Sequence, residues 1–157
     1  MRVFDCFPLF NEIDLLELRL NELWDVVDVF VIVEAKKTFT GKRKPMCLPD
    51  NEERLAKYIH KIRYVVVEDF PDGMSNWGKE EYQRNAIKKG LSDVLPDDIL
   101  IFSDLDEIPR AMVVKSIVDA RHKAQRSLLS FSGLVFLLSE HQDLGKVGAP
   151  RAPHDPC

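Results

Sequence analysis

The sequence predicts a doubly wound α/β domain built on a mostly parallel sheet. Three observations carry this expectation. Residues 3–7, 27–33, 62–67 and 99–102 are short, apolar, largely β-branched or aromatic runs without strict polar alternation, as strands covered on both faces require. The segments between them place apolar residues at helical spacing, so strand and helix alternate along the chain. The fourth run, Ile99-Leu100-Ile101-Phe102, ends at once in an acidic cluster, Asp104, Asp106 and Glu107. The carboxyl edge of a parallel sheet is where ligands bind.

Residues 3–7 form the first expected strand, and Pro8 is expected to end it. Asn11 is a good N-cap, with Asp14 three residues on as an imperfect capping box. In the helix that follows, Ile13, Leu16, Leu20 and Leu23 share a face, and Glu17, Arg19 and Glu22 fall mostly off it. The second strand ends at Glu34. Residues 38–49 lack a period and contain Gly41, Pro45 and Pro49, so a loop is expected. Asp50 and Glu53 open a short helix carrying Leu55, Tyr58 and Ile59, and the third strand ends in a turn over 68–73. Asn76 is placed to cap a helix over 77–89 whose ends suit its dipole: Glu80 and Glu81 early, Lys88 and Lys89 late, Gly90 as the stop. After the acidic cluster, Pro109 opens a helix to residue 123, with Val113, Ile117 and Ala120 on one face and Val114 and Val118 beside it. Residues 127–138 are apolar and contain the expected fifth strand. Right-handed crossovers then put helices on both faces of the sheet. Beyond residue 139, Gly145, Gly148, Pro150, Pro153 and Pro156 interrupt any period. Residues 1–138 are therefore expected to form one domain and 139–157 a disordered tail.

The chain has 157 residues, 45% hydrophobic and 31% charged, which suits a single globular domain able to bury a core. A formal net charge of −4 argues against a nucleic-acid partner. Lys36, Lys37, Lys42, Arg43 and Lys44 nonetheless cluster, as a solvated loop or as a surface facing phosphate or an acidic partner. Cys6, Cys47 and Cys157 form no Cys-x-x-Cys pair, so neither a zinc site nor a disulfide framework is signalled, and Cys6 is expected as a small buried hydrophobe. No apolar run is long enough to span a bilayer, and no secretory pattern precedes the first strand. The chain as written is expected to be cytoplasmic, with no membrane segment.

Four segments meet at the strand ends of such a sheet: Phe10-Asn11-Glu12, Glu34, Gln83-Arg84-Asn85, and Asp104 to Glu107. Carboxylates crowded together repel unless a cation sits between them, and oxygen ligands suit a hard ion such as Mg²⁺ or Mn²⁺. Asp104 and Asp106 are the candidate pair. A nucleoside diphosphate suits the crevice, with carboxylates of the first two strand ends on base and ribose hydroxyls and the cation on the diphosphate. Each piece has a plain structural alternative. Asn11 caps a helix, Glu34 solvates a strand end, Arg84 pairs with Glu80 or Glu81 along its own helix, and the acidic cluster is a solvated turn. No Gly-x-Gly-x-x-Gly or Walker lysine is present, which disfavours dinucleotide and P-loop folds. The four histidines have no metal-ligand spacing.

Several blocks carry a resemblance. They are the stretch from Asn11-Glu12-Ile13-Asp14 to Val26-Val27-Asp28, then Phe30-Val31-Ile32-Val33-Glu34, residues 38–45, residues 64–71 with Asp69-Phe70-Pro71, and Asp104-Leu105-Asp106-Glu107-Ile108-Pro109. In this order, over residues 2–112, the sequence resembles glycosyltransferase family 17. The resemblance implies a GT-A-like fold and an inverting, metal-dependent transfer of N-acetylglucosamine. The implied donor is UDP-GlcNAc with Mn²⁺ (or Mg²⁺), the acceptor the β-mannose of an N-glycan core, and the compartment the Golgi lumen or membrane. Carried over by position, Asp104 and Asp106 are the Asp-x-Asp pair that holds metal and donor, with Asn11, Glu34 and Arg84 as further donor-binding candidates. No general base is assigned. Two departures stand out. Ala35-Lys36 follows the strand-two glutamate where the family often has Ser-Asn. From Leu134 the sequence is unlike the family, and it ends at Cys157 before the family's acceptor-binding segment, as a fragment, a mis-spliced end or a frameshift product would. The domain is therefore expected to be truncated, and an inactive nucleotide-sugar-binding remnant is the alternative. A phosphotransferase of the haloacid dehalogenase type also uses Asp-x-Asp, but after its first strand; here the pair follows the fourth, with Ile108 where Thr or Val is usual.

Overall fold

Side chains alternate across a strand, so an apolar run without polar alternation has two faces to bury. A computed structural model, describing residues 1–127 and 135–138, has the layers that do this. Strands β1 (Val3–Leu9), β2 (Val29–Ala35), β3 (Ile62–Val67), β4 (Ile99–Phe102) and β5 (Val135–Leu138) form one sheet in the order β3-β2-β1-β4-β5, every pairing parallel. They are joined by α1 (Ile13–Leu23), α2 (Glu52–Leu55), α3 (Asn76–Asn85) and α4 (Ala111–Ser127), with 3-10 turns at Pro49–Asn51, Ile59–Lys61 and Ala86–Gly90. The chain steps outward from β1 to β3, then returns to lay β4 against the free side of β1. The direction of winding reverses between β1 and β4, and such a switch point leaves a crevice at the strands' carboxyl ends.

On one face Phe7 and Leu9 of β1, Phe30 and Ile32 of β2, and Ile99 and Ile101 of β4 pack with Leu16, Leu20 and Leu23 of α1 and Val114 of α4. On the other face Phe4, Cys6, Val31, Val33 and Leu100 pack with Ala86 and Ile87 of the turn that follows α3. Burial of each large apolar side chain is worth about 1.5–3 kcal/mol, so the sheet needs both helical layers. The expected helix over 77–89 is thus a helix followed by a 3-10 turn, and Gly90 closes it for a packing reason: a Cβ there would lie 2.5 Å from Val31 Cγ1 in the central sheet.

Other local expectations are corrected. Pro8 does not end β1; Pro8 pairs with Val33 and Leu9 with Glu34. The Cys6 carbonyl accepts from Ser103 N on the β4 side, so Pro8, two residues on, directs its missing N–H to the same side, where the β4 pairing has already stopped at Cys6 and Phe102. No ladder bond is lost. Asn11 does not cap α1. Glu12 occupies the cap position, and its carboxylate instead accepts from Asn11 N at 3.0 Å and Phe10 N at 3.3 Å. Ser75, not Asn76, caps α3, accepting from Gly78 N at 3.1 Å. Helix α4 begins at Ala111, where Glu22 accepts the Ala111 amide at 3.0 Å. The loop over 38–49 is partly ordered: Thr38 N donates to Lys42 O, Lys37 and Arg43 form an isolated bridge, and Gly41 takes φ +85° in the turn. Arg19, expected off the apolar face, is fully buried. Cys6 is buried as expected. The expected tail at 139–157 lies outside the described residues.

Candidate functional site

A cleft of about 640 Å³ opens at the switch point. Its floor is the end of β1, Pro8 to Phe10, and Ala35 at the end of β2; Asp104, Leu105 and Asp106 form one wall, Glu80, Gln83 and Arg84 of α3 another, and Lys37 to Thr40 with Lys44 a third. Strand ends, a helix and a returning loop thus bring together residues up to about a hundred positions apart. Leu105 is buried, while Asp104 is half-exposed and Asp106 exposed. Glu107 turns back on the same turn: its Oε2 accepts from Asp104 N at 3.2 Å, and its own amide donates to Asp104 O at 3.1 Å.

Arg84 pairs along its own helix, as its plain structural reading expects, and also reaches the acidic turn. Its Nη2 lies 3.1 Å from Glu80 Oε1 on its own helix and 3.0 Å from Asp104 Oδ1 on the β4 turn. Gln83, next to it, is buried and donates to Val33 O at 3.3 Å, which fixes α3 against the sheet. Asn11 is exposed on the loop after β1; its neighbours Phe10 and Glu12 line the cleft.

Glu34 is placed differently from its expected role. It is fully buried, and its oxygens accept from Cys47 N at 2.6 Å, Leu48 N at 3.3 Å, the Tyr64 hydroxyl at 2.7 Å, and Lys44 Nζ. With its lone pairs taken inward, it organises the loop wall of the cleft. Burial, and then Glu34 itself, push the Tyr64 hydroxyl upward, so it stays a donor. The same causes push the Cys47 thiol up to about 11, which makes it a poor nucleophile. Of the basic cluster, Lys36 and Lys37 pair with Glu68 and Asp69, while Lys44 is nearly buried, held by Glu34 and by Phe10 O at 2.6 Å.

The residues that the sequence left unassigned are Asp5 and Arg19. Both are fully buried, joined by two hydrogen bonds of 2.8 and 2.7 Å, and Arg19 stacks over the Phe7 ring at 4.4 Å. A signal for them exists. Asp5 stands on the face of β1 that Val3 and Phe7 bury, and Arg19 stands three residues from Leu16, on its helical face. A charge buried in this way must be paired.

Chemically, the cleft offers paired carboxylates beside cationic side chains. Among the described residues no group of three or more His, Cys, Asp or Glu converges on one point. Asp104 and Asp106 both line the cleft and are the residues that would hold a hard cation such as Mg²⁺, which keeps waters and takes phosphate oxygens from substrate rather than filling a full protein cage.

Residues 1–129 match the sequence profile of Glycosyltransferase family 17. The chain belongs to this family. The span holds α1, the strands β1 to β4 and every wall of the cleft. Among the relatives of this family 17 chain are proteins named beta-1,4-mannosyl-glycoprotein 4-beta-N-acetylglucosaminyltransferase. Those from Rattus norvegicus and Homo sapiens are each 35% identical over 116 residues, and that from Mus musculus is 34% identical; in each case 69% of this chain and 22% of the relative are covered. The family 17 chain therefore spans about a fifth of the length of these relatives. No solved structure gives a significant match.

Proposed function

We propose that this family 17 domain is a GT-A-type donor-binding domain that binds UDP-GlcNAc together with Mn²⁺ or Mg²⁺. The proposed reaction is transfer of N-acetylglucosamine, with inversion, to the β-mannose of an N-glycan core. One observation carries the reading: Asp104 and Asp106 line the cleft at the carboxyl end of β4, at the switch point, with Arg84 beside them. A divalent cation on these carboxylates would neutralise the diphosphate and stabilise UDP as leaving group. Arg84 offers a charge-assisted hydrogen bond to the same phosphates. The names of the relatives support the sugar and the acceptor. The compartment proposed is the Golgi lumen; the expectation of a cytoplasmic chain finds no support, and no helix among the described residues is long and apolar enough to cross a membrane. Calorimetric titration with UDP-GlcNAc tests the donor reading: binding with Mn²⁺ that vanishes in EDTA is expected, and equal affinity in both would contradict it.

A second reading, donor binding without transfer, is favoured by the carboxylates around the cleft. A general base must reach the acceptor hydroxyl within about 3 Å. Glu12 is engaged by two backbone amides and Glu80 by Arg84, and Asp104 and Asp106 are assigned to the cation, whose charge lowers their proton affinity. The 157-residue chain incubated with UDP-GlcNAc, Mn²⁺ and a biantennary glycan is then expected to give no product one HexNAc heavier by mass spectrometry. A robust gain that Asp106→Ala abolishes would place a base within these residues.

A further inference from the structure

The acidic turn after β4 lies over the buried guanidinium of Arg19. Arg19 Nη1 donates to three backbone carbonyls of that turn, Asp104 O at 2.7 Å, Leu105 O at 3.1 Å and Glu107 O at 3.3 Å. Its Nη2 donates to Ser103 Oγ at 2.6 Å and to Asp5 Oδ1, and its Nε donates to Asp5 Oδ2. The guanidinium thus spends one edge on Asp5 in the central strand and the rest on the turn. No other residue type offers donors in that planar fork, and an ammonium is a compact point charge that cannot span both groups.

We propose that Arg19, anchored by Asp5, is a positioning residue that sets the backbone of residues 103–107 so that Asp104 and Asp106 face the cleft together. The carbonyls are drawn inward to the guanidinium, Leu105 is buried in the core, and the two carboxylates on either side of it line the cleft. Asp104 O also accepts from Glu107 N at 3.1 Å and Glu107 O from Ser103 Oγ at 3.3 Å, but the buried Leu105 O takes its hydrogen bond from Arg19. Three carbonyls drawn to one point repel one another unless a cation lies among them, so the guanidinium favours this conformation of the turn. An ion pair this deeply buried is weak as a device for stability, because desolvation of both charges offsets their attraction. Its use in this fold is to fix one geometry of the turn. The proposal rests on the donor reading above for what the turn holds, but not for how the turn is held.

The test is Arg19→Lys, with the double variant Asp5→Leu/Arg19→Met as its companion because that pair leaves no buried charge unpaired should the lysine variant fail to fold. Hydrogen exchange read by mass spectrometry and UDP titration with and without Mn²⁺ are measured on the same purified chains. Amides of residues 103–108 are expected to exchange roughly tenfold faster or more, with β1 and β2 unchanged, and Mn²⁺-dependent UDP affinity to fall by a similar factor, as loss of charged hydrogen bonds at one turn would give. Ser103→Ala, which removes one of the contacts, is expected to give a smaller shift of the same kind. A folded variant whose 103–108 exchange matches wild type overturns the proposal whatever UDP does. Wild-type chain that shows no Mn²⁺-dependent UDP binding at all overturns the donor reading instead, and the exchange result still decides whether Arg19 holds the turn.

Discussion

Arg84 Nη2 stands 3.0 Å from Asp104 Oδ1, so the cation of α3 already occupies one carboxylate of the pair. Under the proposed donor reading, a metal ion would compete with this guanidinium for the same oxygen, and Arg84 would then be free to reach the phosphates. Arg84→Ala is therefore expected to weaken UDP binding in Mn²⁺ by about 1.5–3 kcal/mol, the worth of a charge-assisted hydrogen bond. Without nucleotide, Mn²⁺ affinity is expected to hold or rise, because a competitor is gone. UDP affinity left intact, with only a few tenths of a kcal/mol lost in a urea melt, would show that Arg84 serves its helix alone.

Gly90 is expected to be irreplaceable for packing. The Cβ of Gly90→Ala would meet Val31 Cγ1 at 2.5 Å and Val65 Cγ2 at 3.4 Å, on stiff β-branched side chains of neighbouring strands. Overpacking of this kind costs about 1–3 kcal/mol. Urea unfolding should show that loss, with UDP affinity of the folded fraction unchanged. Equal stability would mean that the 3-10 turn shifts freely over the sheet.

The amino end of the sheet sets an acid-sensitive contribution. Asp93 accepts from Arg63 and from Arg2, and these hydrogen bonds, Arg63's first, hold its carboxyl well below the usual carboxylate range. A carboxyl with its pKa depressed by folding stabilises the native state above its unfolded pKa of about 3.9, and the contribution fades as pH falls toward the folded value. Asp93→Asn should be less stable than wild type at pH 7, with the difference shrinking below pH ~4. A difference that stays constant down to pH ~2 in parallel urea melts would contradict the linkage.

The strands and their order of appearance were legible because four apolar runs lacking alternation are too short for buried helices and rich in β-branched or aromatic residues, which marks them as strands with two buried faces. The acidic turn was legible because Phe102 is followed within five residues by three carboxylates. Other features depend on relationships that one-dimensional spacing does not carry. Pro8 continues β1 because the neighbour on its N–H side is shorter, a fact about β4 rather than about Pro8. Ser75 and Asn76 are both good caps, and only the entry path of the chain chooses between them. Lys44 looks like its four basic neighbours until the loop folds it onto Glu34, ten residues earlier. Glu34 looked like a solvated or ligand-facing strand end, but two loop amides and a tyrosine hydroxyl turn it inward. Arg19 was masked by its polar side chain, although its spacing from Leu16 and Leu23 puts it on the buried face, where Asp5 waits.

Asp104 and Asp106 are proposed to hold a divalent cation together with a uridine diphosphate. Electron paramagnetic resonance of Mn²⁺ reads this directly, because the six-line spectrum of the hydrated ion loses amplitude when the ion is bound. With UDP alone as the reference, adding wild-type chain is expected to reduce the free-ion signal further, and adding Asp106→Ala is expected to leave it at the reference level. A wild-type chain that leaves the signal unchanged, or an Asp106→Ala chain that reduces it equally, would contradict the assignment.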